Sequence, residues 1–240
     1  KKILPPKQQR NVKDADPFTR EERDLFIAQA ESSCTPAEQL MLKVMVHAGL
    51  RLGEMLAMRA GSLDLTKHTY LVAESYKLKR FSKPKFGKTR FVDLPGFLVT
   101  ELYEYLAYCK KENLRGGKGA KIDLLFFDPK ETGEWPYSQR KVQDLIKRVC
   151  KACGLRRRNP HDFRHTYATI MLMAHQSPGY VQKQLGHSSI SITIDIYCHW
   201  IPGEGRKGIE EALMGENFVP NRVRQPHIIA YKTKATSVTN

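Results

Sequence analysis

No apolar run in this sequence approaches the roughly 20 residues a membrane-spanning helix needs, and no leader of the secretory kind opens it. Both absences lead to the expectation of a soluble, intracellular protein with no membrane partner. Cysteine is scarce and odd in number, five in 240 residues, which argues against a disulfide framework and for reduced thiols. Cys150 and Cys153 form a C-x-x-C with no second pair, too few ligands for a structural zinc, and read better as small packed side chains. Acidic residues are the third shortage: 25 Asp and Glu stand against 40 Lys and Arg, a formal charge of +15. No carboxylate cluster stands out that would hold a metal, and a fixed cationic excess of that size favours a polyanion.

What is present falls into three stretches. Residues 1–16 place Lys1, Lys2, Lys7, Arg10 and Lys13 around Pro5-Pro6, the composition of a basic interdomain linker; with Lys1 rather than Met first, a piece of a longer protein is expected. Residues 17–202 are patterned as a packed domain. Thr19 with Glu22, and Thr35 with Pro36 and Glu38, are helix-start signals. The second leads into a buried stripe of Leu40, Met41, Val44, Met45 and Ala48 that Gly49 stops. Arg51 to Arg59 reads as helix again. Ser62–Leu65, Tyr70–Tyr76 and Thr89–Leu94 are β-favouring and predict one small antiparallel sheet. Further helices are predicted over Pro95–Asn113, Ser138–Cys153, from Pro160 through Phe163, Tyr167, Ile170 and Met171, and from Ser177 to Gly186. The fold class is therefore α+β, mainly α, with its sheet near the first third. Residues 203–240 read as a helix-like segment and a polar, basic tail, a candidate docking segment.

The chemistry-bearing groups lie in HDFRH and LGHSSISITIDIY. His161 and Arg164 are three apart at a helix start, the spacing that lets an imidazole and a guanidinium share a polar face and converge on one anion. His187 follows a helix-ending glycine, and Tyr197 comes ten residues later. A free phenol has a pKa of about 10, so cationic neighbours are needed to favour its anion as a nucleophile. The string HDFRH is also similar to the zinc-protease pattern H-E-x-x-H, but Asp162 is one methylene short of the required Glu and no convincing third ligand is apparent. Between Lys77 and Lys88 a second hairpin carries Lys79, Arg80, Lys83, Lys85 and Lys88.

These strings together resemble the tyrosine recombinases, the phage-integrase and Xer family, in their C-terminal catalytic domain. GLRLGEMLAMRAGSLDL is similar to that family's first box, putting Arg51 on a catalytic arginine and Glu54 on the acidic position that braces it. KFGKTRFVDLP resembles its β-hairpin and puts Lys85 on the catalytic lysine. HDFRH supplies His161 and Arg164, LGHSS supplies His187, and Tyr197 falls on the nucleophile. Ala60 stands where the family often has Trp. The resemblance implies a site-specific recombinase that breaks and rejoins double-stranded DNA through a 3′-phosphotyrosine, without metal, ATP or other cofactor. It implies Lys79, Arg80, Lys83, Lys88 and Arg90 as candidate DNA contacts. It also implies a homotetramer on DNA joined through C-terminal segments, with the free chain a candidate monomer, and a bacterial or phage-encoded protein working in the cytoplasm at the nucleoid. The alternatives are a catalytically silent DNA-binding module of the same fold and, less favoured, a zinc hydrolase.

Overall fold

The computed structural model describes residues 17–84, 87–117, 123–128, 130 and 135–200, the side chains of 196–200 excepted. The basic stretch 1–16, Lys85 and the tail 203–240 lie outside the described residues. Capping chemistry sets the first helices. α1 (Arg20–Ser33) starts at Thr19 and α2 (Pro36–Ala48) at Thr35, each with a reciprocal box to Glu22 or Glu38; Gly49, at φ 60°, ends α2 in the left-handed region. α2 is the hub of the core, with Met41, Leu42, Val44 and Met45 fully buried. Phe26 of α1 packs edge-on to Phe163, with ring centroids 5.2 Å apart. Phe163 belongs to α6 (Pro160–Met173), which thereby joins the same core.

The stretch expected to be helical from Arg51 to Arg59 is shorter, α3 (Leu52–Leu56). Beyond it Arg59 is extended and bridges to Leu124, with Leu125 N–H donating to Met58 O at 2.9 Å and Ala60 N–H to Asp123 O at 2.8 Å, before a single 3-10 turn over Ala60–Ser62. The single predicted sheet is also divided. β1 (Leu63–Asp64), β2 (Thr69–Val72) and β5 (Arg90–Asp93) form one antiparallel sheet in the order β1-β2-β5. β3 (Ser75–Lys77) and β4 (Arg80–Ser82) form a separate hairpin. The run Tyr70–Tyr76 therefore breaks at Ala73 and Glu74, and Gly53 supplies the reason. A Cβ there would stand 2.5 Å from Ser75 Oγ and 2.9 Å from Tyr76 O, so only glycine lets β3 leave the sheet and lie against α3. The β3–β4 turn is made by Leu78 and Lys79, both at positive φ (51° and 58°), as a two-residue hairpin turn of this hand requires.

α4 (Gly96–Arg115) and α5 (Gln139–Ala152) close the core through Leu98 and Leu102 and through Val142, Ile146 and Val149. Cys153 lies just past α5, and its thiol donates back to Val149 O at 3.1 Å. The last helices are α7 (Pro178–Leu185) and α8 (Ile190–Trp200). α6 is enclosed by α2, α7 and α8, so it is buried well beyond the expected apolar stripe. Asp162, Arg164, Thr166 and Thr169 are buried with it, while Ile170 and Met171 are only half-buried. Among the described residues no helix is long and apolar enough to cross a membrane.

Candidate active site

The site is organised by the C-terminal end of α7. A helix leaves its last carbonyls without intrahelical donors and carries partial negative charge there. Three arginines from three elements use these oxygens in consecutive order. Arg90 Nε of β5 donates to Gln184 O at 2.8 Å, Arg164 Nη2 of α6 donates to Leu185 O, and Arg51 Nη2, from the residue capping α3, donates to Gly186 O at 3.0 Å. Arg164 also donates through Nη1 to Gly49 O at 2.8 Å. Gly186 is needed twice over: it sits at φ 63°, and a Cβ would press to within 2.9–3.1 Å of the Arg90 side chain.

One carboxylate is bonded to this group. Glu54, 1% exposed, takes Arg51 Nη1 at 2.8 Å and both Nη atoms of Arg90 at 2.9 and 2.7 Å. Its Oε2 also accepts the Arg51 backbone N–H at 2.9 Å. Burial pushes this carboxyl up, but the Arg90 hydrogen bonds and the Arg90 and Arg51 charges more than offset it and hold it down at about 2. Three guanidiniums against one bonded carboxylate leave an uncompensated positive charge beside His187. Burial, then Arg164 and Arg51, push that imidazole down to about 3, so it is neutral at pH 7. Burial and Arg51 likewise push the Arg164 guanidinium below the usual arginine range. An anion entering here relieves both.

His187 is fixed through its main chain. Its N–H donates to Gln182 O at 3.1 Å and Gly186 N–H donates to Lys183 O at 3.1 Å, the paired bonds of a Schellman ending. Its Nδ1 lies 2.9 Å from Thr193 Oγ1 of α8. α7 itself is fastened to β5: Asp93 accepts Tyr180 Oη and Gln184 Nε2, each at 2.8 Å, while Asp93 N–H donates to Gln184 Oε1 at 2.9 Å. Arg51, Lys88, Arg90, Lys183, Gly186 and His187 line a cleft of about 660 Å³.

Arg51, Glu54, Arg164 and His187 are thus gathered at one helix end. His161 and Arg164, expected to share a polar face, differ in setting: Arg164 is 4% exposed, enclosed by α2 and α7, whereas His161 is exposed at the α6 start. The His161 ring centroid is 6.1 Å from that of His165. Asp162, the base a zinc-protease reading needs, is a buried capping residue that accepts the Asn159 N–H at 2.7 Å. Among the described residues no group of three or more His, Cys, Asp or Glu could hold a metal.

Of the candidate DNA contacts, Lys79, Arg80, Lys83 and Lys88 are exposed. Arg90 is a correction, because its side chain is turned inward and committed to Glu54 and Gln184. The signal was strand parity. Arg90 alternates in step with Val92 and Leu94, which are buried, and out of step with Phe91, which is 63% exposed. Gln184, Asp93 and Thr193 carried no such signal. Tyr197 lies on α8; its side chain and Lys85 are outside the described positions.

A mainly helical domain that gathers three guanidiniums and a histidine at one helix end offers donors suited to an oxyanion. Residues 18–202 match the model of the Phage integrase family, and the chain belongs to that family. It is similar to prophage integrase IntR of Escherichia coli (strain K12), 31% identical over 209 residues that cover 81% of this chain and 50% of IntR. It is also similar to transposase A from transposon Tn554 of Staphylococcus aureus, 30% identical over 187 residues, 74% of this chain and 48% of the relative. The chain spans about half the length of these curated relatives. Among solved structures, XerH site-specific recombinase bound to its difH substrate shares the fold at a TM-score of 0.60 and 25% identity, over 82% of this chain and 52% of that one.

Proposed function

We propose that this chain is the catalytic domain of a site-specific DNA recombinase of the tyrosine type. The observation that carries the reading is the seating of Arg51 and Arg164 on consecutive carbonyls at the C-terminal end of α7, those of Gly186 and Leu185, with His187 next in the chain. That arrangement presents cationic and hydrogen-bonding groups to one phosphate, and the family membership supports the DNA backbone as its source. Tyr197 Oη forms a bond to phosphorus at the 3′ side while the bond to the 5′ oxygen breaks, giving a 3′-phosphotyrosine and a 5′-hydroxyl. The bond energy is kept in the covalent intermediate, so neither ATP nor a metal is called for. Arg51, Arg164 and His187 hold the nonbridging oxygens. Lys85 gives the proton that the leaving oxygen takes; His161 positions the phosphate and helps remove the tyrosine proton; Glu54 orients Arg51. Lys79, Arg80, Lys83 and Lys88 follow neighbouring phosphates. A homotetramer on DNA, joined through the C-terminal segments, completes strand exchange.

The test is a nicked suicide substrate carrying the recombination site, run on a denaturing gel in EDTA with wild type beside Tyr197→Phe. A covalent adduct formed by wild type alone supports the tyrosine mechanism and its independence of metal. Salt-sensitive binding of that DNA without an adduct would identify a binding module of the same fold.

A further inference from the structure

His187 and Thr193 stand on either side of the short α7–α8 connection, and their side chains meet at 2.9 Å. Thr193 is fully buried, and among the described residues its hydroxyl has no other hydrogen-bond partner. With the His187 main chain pinned to Gln182 at both N–H and C=O, the freedom left at this residue is the ring and the position of its proton.

Resting on the phosphate-binding reading above, we propose that Thr193 is a positioning residue that donates its hydroxyl proton to His187 Nδ1 and so keeps the imidazole proton on Nε2, facing the phosphate. A neutral imidazole has one N–H and one bare nitrogen, and the hydrogen bond made by one nitrogen sets the state of the other. With the proton on Nδ1, Nε2 would turn a lone pair toward the anionic oxygens and repel them. With the hydroxyl donating to Nδ1, Nε2–H donates to the oxygen instead. A hydroxyl can rotate to either role; with no anion bound, burial and the arginines beside His187 disfavour the third possibility, an imidazolium that would need no such help. Thr193 also precedes Tyr197 by four positions in α8, one helical turn. The same hydrogen bond therefore registers the helix of the proposed nucleophile against the phosphate-binding histidine.

The experiment compares wild type, Thr193→Ser and Thr193→Val in the 240-residue protein. Histidine ¹⁵N labelling gives the His187 tautomer, assigned by the signal lost in His187→Asn, and suicide-substrate cleavage gives the rate. The expected result is an Nε2–H tautomer in wild type and Ser. In Val the tautomer population shifts toward Nδ1–H and adduct formation slows about 10- to 100-fold, the scale on which partners orienting a functional histidine act. An Nδ1–H tautomer in wild type overturns the proposal. So does a Val variant with unchanged tautomer, whether or not its rate falls. If Val fails to fold, the wild-type and Ser spectra still decide it. If wild type forms no adduct, the recombinase reading fails, while the spectra still report which way the Thr193 hydroxyl points.

Discussion

Arg90 and Arg51 both bind Glu54, yet they do different work. Arg51 keeps part of its guanidinium at the cleft, with its side chain 24% exposed, while Arg90 spends its fork on Glu54 and its Nε on α7. Replacing Arg90 with Gln is expected to slow adduct formation about 10- to 100-fold, or roughly 1.4–3 kcal/mol, through misplacement of Arg51. The salt slope of DNA affinity should be unchanged, and a filter-binding titration beside a single-turnover cleavage assay separates the two effects. Lys79→Ala is the opposite case, lowering the salt slope by about 0.9 while leaving cleavage at saturating protein intact. Glu54, Arg164 and His187 were legible as motif positions, and Arg90 was legible as inward-facing from its parity with Val92. What the sequence hid was that Arg164 is buried. Its acceptors are the main-chain oxygens of Gly49 and Leu185, and no side-chain pattern announces a main-chain acceptor.

At the scale of elements, helix starts were the most legible feature because capping is local chemistry: Thr19, Thr35 and Ser177 each place an oxygen within reach of an N–H three residues on. The division of the sheet was not legible, since it depends on α3 approaching β3 through Gly53, a contact between distant parts of the chain. Gly53→Ala should therefore push the β3–β4 hairpin off α3, lower Tm, and raise amide exchange in Ser75–Ser82 before the rest of the domain. Gly186→Ala meets both a positive φ, which costs a residue with a Cβ roughly 1–2 kcal/mol, and the Arg90 side chain. Loss of adduct formation together with a lower Tm is expected, read by suicide-substrate cleavage and thermal melts.

At the scale of the whole molecule, buried histidines held neutral among cationic groups set the pH dependence of stability. His187 is held neutral down to about 3 against an ordinary 6.5, and His47 and His165 to about 4, all first by burial. The unfolded chain takes up these protons first, so stability is full above 6.5 and erodes as pH falls below it. Glu54 works in a lower window: its stabilisation is full above the ordinary 4.5 and is lost as pH falls toward 2. Thermal melts should accordingly decline from pH 6.5 downward, and His187→Asn should flatten that decline; a melt independent of pH from 7 to 5 would contradict it. The seating of three arginines on consecutive peptide oxygens at the end of α7 has one more consequence. A side-chain replacement cannot delete a carbonyl, so an exposed position such as Lys183 can drift in sequence while its main-chain oxygen goes on accepting, whereas the buried Gln184 and Leu185 also hold α7 in place through their side chains.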